Sequence, residues 1–394
     1  MPTLTNRWAV LALLCVVRLS IGVNFQSTPA LAPFLIDALG INYTQLGALI
    51  GLFMFSAAFL ALPGGLLGTR FGDKAVVLAG LALLTIGAAL FASSTHYSVA
   101  ATGRLISGAG GVLLTVQLPK IATDWFAGRE ISTAMGILIP TWPLGIAVAL
   151  ATLGGIAAAT SWRTAVCLTG LYSGLALLLF LALYRDPPRS APGLQTSRPL
   201  LWVISKRELA LVMGPALMWM FLNTGFIVFM SFTPTLLIDR GLSAGRAGFL
   251  VSWASLVCIG SFPLAGYLID RTRKPNWFIV AGTIATAMSC ALMPLLEPSY
   301  LWIVLFGVVL PASTTVIITL PAEVLRPESR STGFGVFYTC YYVGMALVPS
   351  LAGYLLDLTH NPSLPVFFSA MLWLVTLAPL PIFRVLQRRW PPAS

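Results

Sequence analysis

Charge is the scarcest commodity in this chain. Of 394 residues, only 23 are Lys or Arg and 12 are Asp or Glu, so 9% carry charge. A soluble domain of average composition carries about 25%. The deficit, with 58% hydrophobic residues and a mean hydropathy of +0.90, excludes an ordinary soluble globular protein and a disordered chain. Histidine is nearly absent: His96 and His360 are the only two, and both fall in expected loops. No HExxH, phosphate-cradling Gly-rich loop or nucleophile elbow is found, so the sequence offers no enzyme signature, no metal set and no bound cofactor. The five cysteines make no CxxC pair and lie inside apolar runs, which excludes a disulfide scaffold. The net charge of +11 does not read as a nucleic-acid footprint, because the basic residues sit between apolar runs rather than in one stripe.

What is present is apolar sequence in runs of membrane-crossing length. A helix needs about 20 apolar residues to cross a bilayer core. Loop signals divide the chain into twelve such spans, near 8–34, 45–68, 75–94, 98–119, 131–156, 163–184, 209–236, 245–269, 276–296, 299–320, 331–356 and 363–383. Residues 75–93 run continuously apolar, without the alternation of a transmembrane barrel strand. The first run is read as a span rather than a cleaved leader, since no small-residue cleavage site follows it. The expected fold is therefore an all-α polytopic membrane protein.

The longest polar stretch divides the spans six and six. This predicts an N-terminal six-helix bundle over 1–184, a cytoplasmic linker over 185–208 and a C-terminal six-helix bundle over 209–394. With the N-terminus placed inside, eighteen of the 23 Lys and Arg fall on inner segments and three on outer ones. That bias predicts cytoplasmic N- and C-termini. The halves also repeat. Pro33 and Pro234, Gly40 and Gly241, Gly47 and Gly248, Gly65 and Gly266, Arg70 and Arg271, and Arg129 and Arg330 are each 201 residues apart. Repeats of even span number share one membrane orientation, the arrangement of two-bundle transporters with a site between the bundles.

Residues 65–74 read GLLGTRFGDK and residues 266–274 read GYLIDRTRK. Span four opens RLISGAG from Arg104, and span eleven carries Pro349, Gly353 and Asp357 at four-residue spacing. On these motifs the whole chain resembles the major facilitator superfamily, whose signature is GxxxDRxGRR/K between spans two and three with an echo between eight and nine. Thr69 stands where that family usually has Asp. Arg18, Gln26, Pro29 and Pro33, with residues 124–130 (DWFAGRE), are similar to its anion porters, among them organic-anion symporters and the nitrate/nitrite and cyanate or nitroimidazole branches. The resemblance implies a monomer in a prokaryotic inner membrane that works by alternating access. It also implies a latch built on Gly65, Arg70, Gly72, Asp73, Gly266, Asp270 and Arg271, with Arg129 and Arg330 closing the corresponding loops.

Two charges interrupt the spans, Arg18 in the first and Arg104 in the fourth. A charge at mid-membrane is costly and is retained for a site or an ion pair. All twelve acids fall in loops or at span ends. Buried cations without buried acids leave a positive cavity, so a small organic or inorganic anion, carboxylate-like by preference, is the expected substrate. Its uptake would be driven by proton symport or exchange. Asn24, Gln26, Gln117, Trp142, Asn223, Tyr338, Tyr341 and Tyr342 are the polar and aromatic candidates for contacting it. Pro140 and Pro143 are expected to bend span five around Trp142. Efflux of hydrophobic or amphipathic compounds by proton antiport is the alternative function, and a non-transporting receptor is a further one.

Overall fold

The computed structural model describes residues 6–126, 130–185, 204–326 and 329–390, with side chains at 61–66, 69, 132 and 331 left undescribed. Sixteen helices make up the described residues. The first half holds α1 (Arg7–Ala30), α2 (Ala32–Leu39), α3 (Tyr43–Phe71), α4 (Asp73–Ala92), α5 (Tyr97–Phe126), α6 (Ile131–Leu138), α7 (Thr141–Ala159) and α8 (Trp162–Leu183). The second half holds α9 (Lys206–Asp239), α10 (Ala244–Thr272), α11 (Pro275–Leu292), α12 (Ser299–Ile317), α13 (Leu320–Val324), α14 (Arg330–Thr359), α15 (Ser363–Val375) and α16 (Pro379–Arg389). Twelve segments are long and apolar enough to cross a membrane, as expected. The sixteen helices reduce to these twelve because α1–α2, α6–α7, α12–α13 and α15–α16 are broken spans.

Each break has a local cause. Proline removes a main-chain donor and crowds the preceding turn, so helices kink or stop there. Span one bends at Pro29 and restarts beside Pro33; span five breaks at Pro140, as expected; span ten restarts beside Pro321; span twelve breaks before Pro379. In a bilayer such breaks persist only where other groups take up the freed main-chain polar atoms.

The repeat survives into the backbone. Gly40 and Gly241, 201 residues apart, both end their helices in the left-handed region at φ 60° and 91°. The expected linker is shorter at its C-terminal end. Ser205 caps α9, its hydroxyl accepting from the Glu208 N–H while the Glu208 side chain takes the Ser205 N–H. This Ser-x-x-Glu capping box starts the helix at Lys206, inside the interval assigned to the linker. Glu208 is buried and also takes Nε and Nη2 of Arg326 at 3.0 and 3.1 Å, tying span seven to the connection before span eleven. Residues 186–203 of the linker lie outside the described residues.

The bundles meet through α3 against α14, α7 against α10, and α1 against α9. Their tightest approaches cluster at the face opposite the chain termini. There Gly47, Gly51 and Gly353 bring the main chains of α3 and α14 together, while Gly154 and Gly248 do the same for α7 and α10. A Cβ at Gly47 would strike the Pro349 carbonyl, and one at Gly248 would strike that of Leu150. These two glycines are repeat partners, so both bundles use the same device at equivalent places.

Candidate functional site

Arg18 lies halfway along α1, where a close crossing with α7 fixes the helix. A Cβ at Gly22 would strike the Trp142 carbonyl, and one at Gly145 would lie 2.5 Å from the Leu19 carbonyl. The Nε and Nη1 of its guanidinium are enclosed and have no hydrogen-bond partner. The hydroxyls of Tyr338, Tyr341 and Tyr342 on α14 lie within its electrostatic reach, from the opposite bundle, together with Cys15 of its own helix. These hydroxyls make no hydrogen bond among the described residues. Behind them the rings form one aromatic wall. Tyr341 and Tyr342 are 4.8 Å apart, Tyr338 lies 6.5 Å from Tyr342, and Trp219 packs on Phe337 at 5.7 Å and Tyr341 at 6.5 Å. Trp142 meets Phe25 at 6.0 Å on the first bundle's side. The structure thus brings three of the candidates, Arg18, Tyr338 and Tyr342, together. Tyr341 joins them because i+3 and i+4 neighbours share a helix face.

Arg104 is employed differently. Its Nε donates to the Leu49 carbonyl at 3.1 Å, Nη1 to Asn24 at 2.7 Å and Nη2 to Phe25 at 3.0 Å. The guanidinium plane also lies 4.7 Å from the Phe53 ring and 5.7 Å from Phe91. Phe25 is four residues before Pro29, so its carbonyl lacks the usual helical donor and Arg104 supplies one. This arginine braces three helices, in contrast with the substrate contact expected of it.

Other candidates are likewise engaged in framework bonds. The Asn24 amide donates to Ser20 and to the Ser173 hydroxyl at 2.8 Å, joining spans one and six. The Gln26 amide donates at 3.2 Å to the Met230 carbonyl of the other bundle, which Pro234 leaves without its helical donor. The Gln26 Oε1 is enclosed without a partner. Asn223 bonds the Trp219 carbonyl of its own helix at 2.8 Å. Gln117 lies far along α5, beside Gly68 and Asp73, rather than with Arg18.

The signature loops make their contacts within a bundle. Asp73, at the start of α4 after the left-handed Gly72, pairs with Lys120 of α5 at 2.6 Å. Lys74 Nζ donates to the Leu181 carbonyl at 3.1 Å and to that of Tyr184. Arg271 bonds Tyr267 of its own helix, Arg70 lies over Phe71, and Asp270 and Arg330 are exposed. Gly266 has open space around it. The bridge between bundles expected of these loops is not formed among the described residues; Arg129 and the surroundings of Gly65 lie outside them. A bridge does form at the opposite face, where Asp357 of α14 meets the start of α3. The sequence signal for it was the spacing of Pro349, Gly353 and Asp357, which marks one helix face but names no partner.

Comparison with known proteins fits this architecture. The chain is 25% identical over 354 residues to the 3-(3-hydroxy-phenyl)propionate transporter of Escherichia coli strain K12, covering 87% of this chain and 85% of that one. It is 23% identical to the probable sulfoacetate transporter SauU of Cupriavidus necator, covering 93% and 91%. A bacterial homologue of the human lysosomal transporter Spinster, solved in an inward-facing and occupied conformation, superposes with a TM-score of 0.78 at 18% identity, covering 98% and 99%. The family model of the Major Facilitator Superfamily matches residues 13–349. With twelve spans, two bundles and that match across most of its length, the chain belongs to the major facilitator superfamily and is a secondary transporter rather than an enzyme.

Proposed function

We propose that this transporter takes up a small organic carboxylate by alternating access, with Arg18 holding the carboxylate. The observation that carries this reading is the enclosed, unpartnered Nε and Nη1 of Arg18. A guanidinium removed from water costs several kcal/mol unless an acceptor compensates it. Arg104, buried more deeply still, is compensated by three carbonyls; Arg18 is not. A bidentate carboxylate matches the fork of a guanidinium in geometry and charge.

The tyrosine wall favours an organic over an inorganic anion. It sets apolar ring faces beside the cation, with hydroxyls free to bond a substituent. Names among the relatives support the same direction, since the hydroxyphenylpropionate and sulfoacetate transporters are named for organic anions. The bias of basic residues favours cytoplasmic termini, and the family resemblance favours a prokaryotic inner membrane. The close approaches then seal the outer face, and the structure is read as inward-facing. Proton symport or exchange supplies the driving force. The protein is expected to act as a monomer.

The test is thermal stabilisation of purified protein by aromatic and aliphatic carboxylates, nitrate, nitrite, cyanate and cationic drugs, beside Arg18→Ala. A ligand that binds only the folded state raises its stability by mass action. A carboxylate shift lost in Arg18→Ala, followed by uptake of that compound into liposomes, supports the proposal. Shifts confined to cationic or neutral drugs and retained in the variant overturn it in favour of efflux.

A further inference from the structure

The outer seam between α3 and α14 ends in a charged contact. The Asp357 carboxylate accepts the main-chain N–H of Tyr43 at 2.9 Å, that of Thr44 at 2.7 Å and the Thr44 hydroxyl at 2.6 Å. Acceptor and donors belong to opposite bundles.

The start of α3 shows why these donors are available. The first N–H groups of a helix have no partner within it. Asn42 caps this one, its side chain taking the Gln45 N–H at 2.8 Å, while Gln45 reaches back to the Asn42 N–H. The Leu46 N–H reaches the Asn42 carbonyl at 3.0 Å. Tyr43 and Thr44 remain, and Asp357 takes both. Its negative charge also faces the positive end of the α3 dipole. Among the described residues Asp357 makes no ion pair with a basic side chain.

Packing holds the carboxylate in register. Ala346, Pro349 and Gly353 of α14 lie against Gly51, Gly47 and Tyr43 of α3 in turn, and Asp357 is the next step along the same face. Each approach is close enough that a Cβ on the glycine concerned would strike a main-chain carbonyl. The sequence repeat then supplies an internal control. Asn42 corresponds to Ser243, which caps α10 at the matching seam with α7. Gly353 meets Tyr43 as Gly154 meets Ala244, so Asp357, four residues past Gly353, corresponds to Ala158, four past Gly154. The second seam therefore has the glycine approach and the cap but no carboxylate. Asp357 is not a requirement of helix packing in this fold; it is added to one seam only.

We infer that Asp357 is the outer latch of the transport cycle. Its bonds to the start of α3 hold the outer face closed and must part each time the site opens outward. The contact lies at the end of both helices, next to water. When the bundles separate, water replaces the three bonds, so the latch biases the equilibrium without locking it. The inference rests on the alternating-access reading above, and its test does not use the substrate.

Hydrogen–deuterium exchange of the intact protein, read by mass spectrometry in detergent or nanodiscs, decides it. Asp357→Ala is expected to speed exchange roughly ten-fold or more, about the factor lost with a single bond to a charged group. The increase should appear at residues 43–46 and also at the remote seam, residues 149–157 and 244–251, because parting bundles expose both. Thr44→Val, which removes one of the three donors, should move both seams in the same direction by less. Faster exchange confined to residues 43–46 would reduce Asp357 to a local helix cap and overturn the latch, as would unchanged exchange. If Asp357→Ala does not fold, Asp357→Asn and Thr44→Val carry the same two-seam comparison. Loss of anion binding in Arg18→Ala is a separate readout, so failure of either reading is visible without the other.

Discussion

Arg104 completes the hydrogen bonding that Pro29 interrupts. The carbonyl of Phe25, deprived of its helical donor by the proline four residues on, takes Nη2 of Arg104 at 3.0 Å. Asn24 and Leu49 occupy the remaining two nitrogens. A kink in span one and a buried cation in span four thus balance each other. Neither would be tolerated alone in a bilayer, where main-chain polar atoms find no water.

Arg104→Ala is accordingly expected to destabilise the fold whatever ligand is present. Leaving buried acceptors unpaired costs about 1–3 kcal/mol each. Arg104→Lys should recover only part of the loss, because one ammonium cannot reach three carbonyls as a planar fork does. Thermal unfolding of the purified variants checks this; a melting temperature unchanged in both would remove Arg104 from the framework.

Arg18 should behave in the opposite sense. Its enclosed nitrogens have no partner, so Arg18→Leu or Arg18→Met is expected to raise the melting temperature of the ligand-free protein, by about 1–3 kcal/mol of relieved desolvation. The same change should abolish stabilisation by carboxylates. Gain of stability with loss of binding is the mark of a site residue. A fall in stability would show that Arg18 is already satisfied in the free protein.

The tyrosine wall makes a selectivity prediction. Tyr338→Leu and Tyr342→Leu should weaken binding of an aromatic carboxylate by about 0.5–1.5 kcal/mol, the contribution of an aromatic pair beyond its area. A short aliphatic carboxylate should lose less. Competition binding with a matched pair of acids measures the difference, and equal losses for both would place the rings outside the site.

Gln26 and Pro234 should be coupled through the Met230 carbonyl. Gln26→Leu removes the 3.2 Å bond to that carbonyl and is expected to cost about 1 kcal/mol. In a Pro234→Ala background the helix regains its own donor, and the same change should cost less. A double-mutant cycle reads the coupling directly. Additive effects would mean that the two residues act independently.

The membrane fold is legible in the chain because its signals are local. Twelve apolar runs, the polar break after span six and the 201-residue repeat set span number and symmetry. Gly40 and Gly241 even mark the matching left-handed helix ends. The proline in span five announced its break. The start of α9 was misplaced by a few residues because the Ser205–Glu208 capping box outranks local hydropathy.

What each buried polar group does was not legible, for a physical reason. Arg18 and Arg104 look alike in sequence, each a lone cation in an apolar run. Composition fixed that both had to be compensated, and the placement of acids at span ends fixed that no carboxylate in a span centre would do it. Which arginine found its acceptors depended on Pro29 freeing the Phe25 carbonyl within reach of span four. Which acid bridged the bundles depended on glycines letting α3 and α14 approach until Asp357 met the start of α3. Helical period places residues on faces; only the packing of helices distant in sequence decides which faces meet, and hence which charge is left without an acceptor.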